Sequence, residues 1–180
     1  MTRNRKRSKR RALLVVDMLR GFLEPDGSLY CGDEARRIIP YVARRIRTFA
    51  RRGDLVVFSC DRHAEADPEF RLYPAHCVKG SREADILPDL PVPDGAKVLA
   101  KTTLDPFYKT DLDRVLRRPR PREVEVLGVC TNICVLIAVI GLAVRQVPTV
   151  VRRRGVATFD ADAHEQALAQ MQKVFGATVR

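Results

Sequence analysis

Cys134 is the residue on which chemistry could turn. It lies in Gly128-Val129-Cys130-Thr131-Asn132-Ile133-Cys134-Val135, after the run Glu123-Val124-Glu125-Val126 and before an apolar segment that reaches Val144. That order reads as a strand, a tight turn and a buried helix, with Thr131 and Asn132 as its N-cap residues. Cys134 then falls in the first helical turn, where free backbone N–H groups and the helix dipole favour a thiolate. A thiolate so placed is a candidate nucleophile. The plainer alternative is a small buried cysteine in a core helix, because free cysteine is among the most buried residue types.

Two other residues could serve such a thiol. Asp17 closes the apolar run Ala12–Val16, and Lys101 closes Lys97-Val98-Leu99-Ala100. A partly desolvated carboxylate can take the thiol proton. A lysine ammonium beside both stabilises negative charge. Taken singly, Asp17 is equally a loop or cap residue and Lys101 a strand-end cation with its stem along apolar surface. A second set is Asp61, His63, Glu69 and His76, which share one polar stretch. Carboxylate and imidazole donors at that spacing suit a divalent metal, zinc first and iron or manganese as alternatives. The plain alternative is a polar surface loop. The third histidine, His164, reads as a surface or packing residue.

The elements between these residues decide where they meet. Ala12–Asp17, Leu55–Cys60, Lys97–Lys101, Val124–Gly128 and Pro148–Arg152 read as strands, and Ala177–Val179 as a short sixth. Apolar residues at three- and four-residue spacing predict helices over about 33–52, 132–145 and 160–175. A shorter helix over 111–116 is N-capped at Thr110. The segment from Asp61 to about Asp94 is a long loop, and loops of that length in a compact domain usually carry function. Strand and helix alternation predicts a three-layer α/β/α fold around an open, mainly parallel sheet of about six strands. Ligands in such sheets bind beyond the carboxyl ends of the strands. Asp17, Asp61, His63, Lys101 and Cys134 all fall at that edge.

The chain has 180 residues with 46% hydrophobic and 31% charged content, enough for one globular domain from residue 12 onward. Five cysteines without a paired CxxC spacing fit reduced thiols. No apolar run approaches a membrane span, and the Ala12–Val16 run is too short for a signal peptide. Both point to a cytoplasmic protein. The net charge of +11 is largely local. Residues 1–11 carry seven cations and no acid, and without them the charge is +4. This basic flexible tail could touch nucleic acid, but it has no aromatic to stack on bases.

The motifs together resemble the isochorismatase-like cysteine hydrolases, and within them the nicotinamidase branch. The resemblance is carried by Val15-Val16-Asp17-Met18 with Gly21-Phe22, by Asp61-Arg62-His63, and by Tyr73-Pro74-Ala75-His76-Cys77-Val78-Lys79-Gly80. It continues with Lys101, Pro106-Phe107, Thr110-Asp111-Leu112 and Gly128–Val135, and closes with residues 164–176. It implies that Asp17 is the general base, Lys101 the stabilising cation and Cys134 the nucleophile. The backbone N–H groups of Cys130 and Cys134 would form the oxyanion hole, and the Val129–Cys130 bond would be cis. Asp61, His63, Glu69 and His76 would hold the metal, with Phe22 and Tyr73 flanking a pyridine ring. The implied reaction is hydrolysis of nicotinamide to nicotinate and ammonia through a cysteine thioester, in NAD salvage. Leu19, Arg20, Leu104 and Arg154 depart from the family's usual residues. The alternatives are hydrolysis of another small amide or ureido compound, and a non-catalytic binding protein with a nucleic-acid-binding tail. A homo-oligomer is compatible with either enzyme reading.

Overall fold

Six apolar runs become six strands among the described residues, which in this computed structural model are 10–180. They are β1 (Ala12–Val16), β2 (Leu55–Asp61), β3 (Lys97–Lys101), β4 (Val124–Val129), β5 (Thr149–Ala157) and β6 (Thr178–Val179). Their order is β3-β2-β1-β4-β5-β6, and every pairing is parallel. β1 lies between β2 and β4 and is fully buried. That is why its sequence is apolar at every position rather than alternating.

Alternate residues of β1 serve two cores, because successive strand side chains point to opposite faces. Leu13 and Val15 join Val42, Ile46 and Phe49 of helix α3 (Ile39–Arg51), which follows the short helices α1 (Arg20–Leu23) and α2 (Asp33–Arg36), on one face. Leu14 and Val16 join Leu142 of α5 (Leu136–Val144), which follows the short α4 (Leu112–Arg117), and Leu168 and Met171 of α6 (Ala161–Lys173) on the other. The result is the three-layer α/β/α arrangement. Each fully buried Leu or Phe contributes about 1.5–3 kcal/mol of apolar burial to it.

Three elements differ from the sequence expectation. The helix expected over 33–52 divides into a short turn, Asp33–Arg36, and α3, because Pro40 occupies the first turn of α3. Proline is accepted there but clashes with a preceding helical turn. β5 runs to Ala157 rather than ending at Arg152. Its pairing with β4 jumps from Val126↔Val151 to Gly128↔Val156, so the arginine run occupies an irregularity in the ladder. Arg152 reaches the buried Glu125 at 3.1 Å, and Arg153 pairs with Glu165. Thr131 and Asn132 do not cap a helix; residues Thr131–Val135 instead form a wide π-type turn ahead of α5. Thr110 accepts from the Leu112 N–H at 3.2 Å at the start of the short helix Leu112–Arg117.

The basic tail lies outside the described residues except for its last two. Arg11 is drawn into the domain, its N–H donating to Asp54 at 2.9 Å and its guanidinium 3.5 Å from Glu123. Among the described residues no helix is long and apolar enough to cross a membrane.

Candidate active site

The first cluster is built by strand ends. Asp17 follows β1 with φ of +49°, a left-handed conformation that aspartate tolerates better than most residues. Its N–H donates to Ser59 O at 2.9 Å, and its Oδ1 accepts from Asp61 N–H at 3.2 Å. Lys101 ends β3 opposite Asp61, the last residue of β2. Cys134 sits in the turn after β4. All four side chains are buried. Lys101 Nζ lies 2.9 Å from Asp17 Oδ2, contacts Asp61 Oδ1, and approaches Cys134 Sγ at 3.8 Å. One ammonium therefore faces two carboxylates and one thiol. Asp61, expected only as a metal ligand, also belongs to this cluster.

Burial decides the resting protonation. It raises Asp17, Asp61 adds to the rise, and Lys101 only partly offsets both, leaving Asp17 near 7. Burial would raise Asp61 too, but Lys101 and the two facing histidines hold it well below the usual carboxylate range. Burial would lower Lys101, yet Asp17, Cys134 and Asp61 keep it well above its ordinary value and firmly charged. Burial pushes the Cys134 thiol up; Lys101 opposes this, and Asp17 and Asp61 reinforce it. Burial and the two carboxylates thus act against the thiolate that a helix start would favour. Asp17, held on the same Lys101 ammonium as the sulfur, is the carboxylate placed to take its proton.

The turn that carries Cys134 is held from outside. Val135 N–H donates to Cys130 O at 3.2 Å, five residues back, and Ile133 N–H donates to the same oxygen at 3.0 Å. Thr131 Oγ1 meets His164 Nδ1 at 2.9 Å, and Thr158 donates to Asn132 Oδ1 at 2.7 Å. Both would-be caps thus spend their oxygens on α6 and on the end of β5. His164 packs against the turn rather than lying free on the surface. The Val129–Cys130 peptide is cis. Gly128 has φ of +126°, and a Cβ there would meet Val16 O at 2.0 Å, so only glycine lets β4 approach β1 at this level.

The second cluster hangs on the loop after β2. Asp61, His63, Glu69 and His76 offer one ligand atom each, all within 4.8 Å of one another. Asp61 Oδ2 lies 3.7 Å from both His63 Nε2 and His76 Nε2. Donors 2.0–2.2 Å from a tetrahedral cation are about 3.4 Å apart, so the spacing suits ligands around a shared point better than hydrogen bonds between them. Both ring nitrogens of His63 are buried without a hydrogen-bond partner, Nε2 on the side of the cluster. A buried orphan of this kind costs stability unless something binds it. Burial and the nearby Asp61 raise Glu69. The donor set therefore fits a divalent cation by geometry and by charge. The loop is anchored at its far side, where His63 bridges to Val78 and Lys79 N–H donates to His63 O at 2.8 Å.

Both clusters open onto one cavity of about 310 Å³, in the size range of small-molecule sites. Asp17 and Cys134 line its floor together with Asp61, Glu69 and His76. Phe22 and Tyr73, expected at a ring-binding site, both line it. Leu104 lines it as well, whereas Leu19 is buried in the core and Arg154 lies over the Tyr41 ring. Sequence reasoning missed Cys31 and Phe159. They come from the loop before α3 and the segment after β5, and nothing in their local sequence sets them apart. Cys31 Sγ is 3.2 Å from Cys130 Sγ.

A parallel α/β sheet with a thiol, a carboxylate and a lysine at its carboxyl edge defines a class, and comparison with known proteins gives it a family. The Isochorismatase domain model matches residues 11–180, so the chain belongs to the isochorismatase family. Three solved structures are similar over nearly the whole chain. The nicotinamidase/pyrazinamidase PncA from Bacillus subtilis has a TM-score of 0.89 at 30% identity, covering 94% of this chain and 98% of its own. The pyrazinamidase of Pyrococcus horikoshii, solved in complex with zinc, has a TM-score of 0.88 at 30% identity with the same coverage. The N-carbamoylsarcosine amidase from Thermoplasma acidophilum has a TM-score of 0.86 at 31% identity, covering 95% of each chain.

Proposed function

We propose that this protein is a metal-dependent amidohydrolase that converts nicotinamide to nicotinate and ammonia through a Cys134 thioester. The observation that carries the reading is one cavity onto which Asp17 and Cys134, backed by Lys101, open together with Asp61, Glu69 and His76 of the metal-binding set. The likeness to nicotinamidases and to a zinc-bound pyrazinamidase supports both halves. The site residues and their roles are those the family resemblance implies.

In the reaction, ionised Asp17 takes the Cys134 proton as sulfur attacks the carboxamide carbon. Its position near 7 lets one group accept and return a proton at neutral pH. Lys101 stays charged and balances the negative charge around the sulfur. The backbone N–H groups of Cys130 and Cys134 receive the carbonyl oxygen as it becomes an oxyanion. Asp17 then gives its proton to the departing ammonia, leaving a thioester. It next takes a proton from water, which attacks the thioester carbon, and nicotinate leaves as the proton returns to the Cys134 sulfur. A divalent cation held by Asp61, His63, Glu69 and His76, zinc by its donor set, would supply an electrophilic point for a ring nitrogen. Phe22 and Tyr73 hold the ring from its sides. The metabolic role would be NAD salvage in the cytoplasm.

The likeness to an N-carbamoylsarcosine amidase keeps a second reading, hydrolysis of a small ureido compound by the same thiol. Comparing nicotinamide, benzamide and an N-carbamoyl amino acid as substrates of the zinc-loaded protein separates the two. Nicotinamide should exceed benzamide, which lacks the ring nitrogen, by about 100-fold or more in kcat/KM. Preference for the carbamoyl compound would replace the first reading with the second. A protein that turns over none of them would return attention to a binding role and to the basic tail.

A further inference from the structure

We propose that Asp67 is a positioning residue for the metal-binding set, fixing two of its four members with one carboxylate; this rests on the metal reading above. Asp67 is no ligand itself. It precedes Pro68 and caps the short 3-10 turn Pro68–Arg71, which carries Glu69. Its Oδ1 accepts from the Glu69 N–H at 2.9 Å. Its Oδ2 lies 3.2 Å from His63 Nδ1. The Asp67 side chain is only 8% exposed and His63 is fully buried, so water does not compete freely for either contact.

The consequence follows from imidazole chemistry. A neutral histidine carries one N–H and one lone pair, and the partner of one nitrogen decides which role the other takes. A carboxylate 3.2 Å from Nδ1 favours the proton there by its charge and leaves the Nε2 lone pair on the side of Asp61, Glu69 and His76. Without Asp67 the opposite tautomer gains ground, because its Nε2–H would point at Asp61 Oδ2, 3.7 Å away. That tautomer cannot bind a cation through Nε2. His76 has a separate support, since its Nδ1 lies 2.8 Å from Pro74 O. The two ligand histidines therefore differ: a backbone carbonyl orients one, and a side chain orients the other. The second oxygen of Asp67 holds the turn that brings Glu69 to the same point.

The test is zinc affinity, measured by competition with a chromophoric chelator on wild type, Asp67→Asn and Asp67→Ala. Loss of an outer partner of a ligand histidine typically weakens metal binding by about 10–100-fold. Asp67→Ala should show that loss. Asp67→Asn should fall between, because an amide offers one acceptor where the carboxylate offers two. Excess zinc should restore nicotinamide turnover of Asp67→Ala to within a few-fold of wild type. The absorption spectrum of the Co²⁺-loaded Asn variant reports whether the ligand set itself is kept. Zinc binding by Asp67→Ala within about threefold of wild type would overturn the inference. Weaker binding that excess zinc does not rescue would also overturn it, by showing general damage rather than positioning. Wild type that binds no zinc would instead overturn the metal reading on which the inference stands.

Discussion

The two halves of the site are built on opposite principles. Asp17, Lys101 and Cys134 stand at strand ends, fully backed by the sheet, and their charges answer one another. His63, Glu69 and His76 stand on a loop, and their donors converge with Asp61 to within 4.8 Å of one another. Asp61 belongs to both, with one oxygen on Lys101 and the other toward the two histidines. A self-neutralised cluster can do proton transfer without help. A cluster of converging donors is suited to a cation. Under the proposed function, bond chemistry falls to one half and substrate positioning to the other.

Breaking the first half should cost stability most. Lys101→Met leaves Asp17 and Asp61 buried beside each other without their cation. It should destabilise the fold by about 3–5 kcal/mol in urea unfolding, with partial recovery in Lys101→Met/Asp17→Asn. A loss below about 1 kcal/mol would show that the carboxylates are neutralised in some other way. The strand ends also need their close approach. Gly128→Ala places a Cβ against the Val16 carbonyl in a conformation alanine resists, and should cost about 2 kcal/mol or more by the same measurement. An unchanged midpoint would mean that β4 shifts freely away from β1.

The second half should respond to chelation instead. Removing a cation present at 100 times its Kd should lower stability by about 2.7 kcal/mol. Hydrogen exchange should quicken across residues 61–78 while β1 and β4 keep their protection. Uniform loss across the sheet would contradict the division. The smallest effect is expected from Glu69→Gln, because Glu69 is only half-buried. It should weaken zinc binding roughly tenfold, about 1.4 kcal/mol, and leave the metal-free protein's unfolding within about 0.5 kcal/mol of wild type.

The same division explains what the sequence could tell. Strand ends were legible because continuous apolar runs mark buried parallel strands, and Asp17 and Lys101 terminate two of them. The sheet edge then followed from strand alternation alone. The ligand set was legible as residue types, but its closure depends on how 16 residues of loop fold back, and no periodicity records that. The π-type turn at Thr131–Val135 looks like an ordinary helix start in sequence, because Thr131 and Asn132 are good caps; tertiary partners claim their oxygens instead. Three arginines and a glycine imitate a strand end within β5, whereas the ladder absorbs them in an irregularity. Charge pairing across distant segments, Arg152 or Arg45 with Glu125, leaves no local mark.

The central claim is that Cys134 attacks the amide of a ring-bearing substrate. Ammonia release from nicotinamide by the zinc-loaded wild type and by Cys134→Ala tests it directly, with circular dichroism confirming that both are folded. The wild type should turn over, and the variant should lose about 10⁴-fold or more in kcat. A Cys134→Ala protein that keeps its rate within about tenfold would contradict the account.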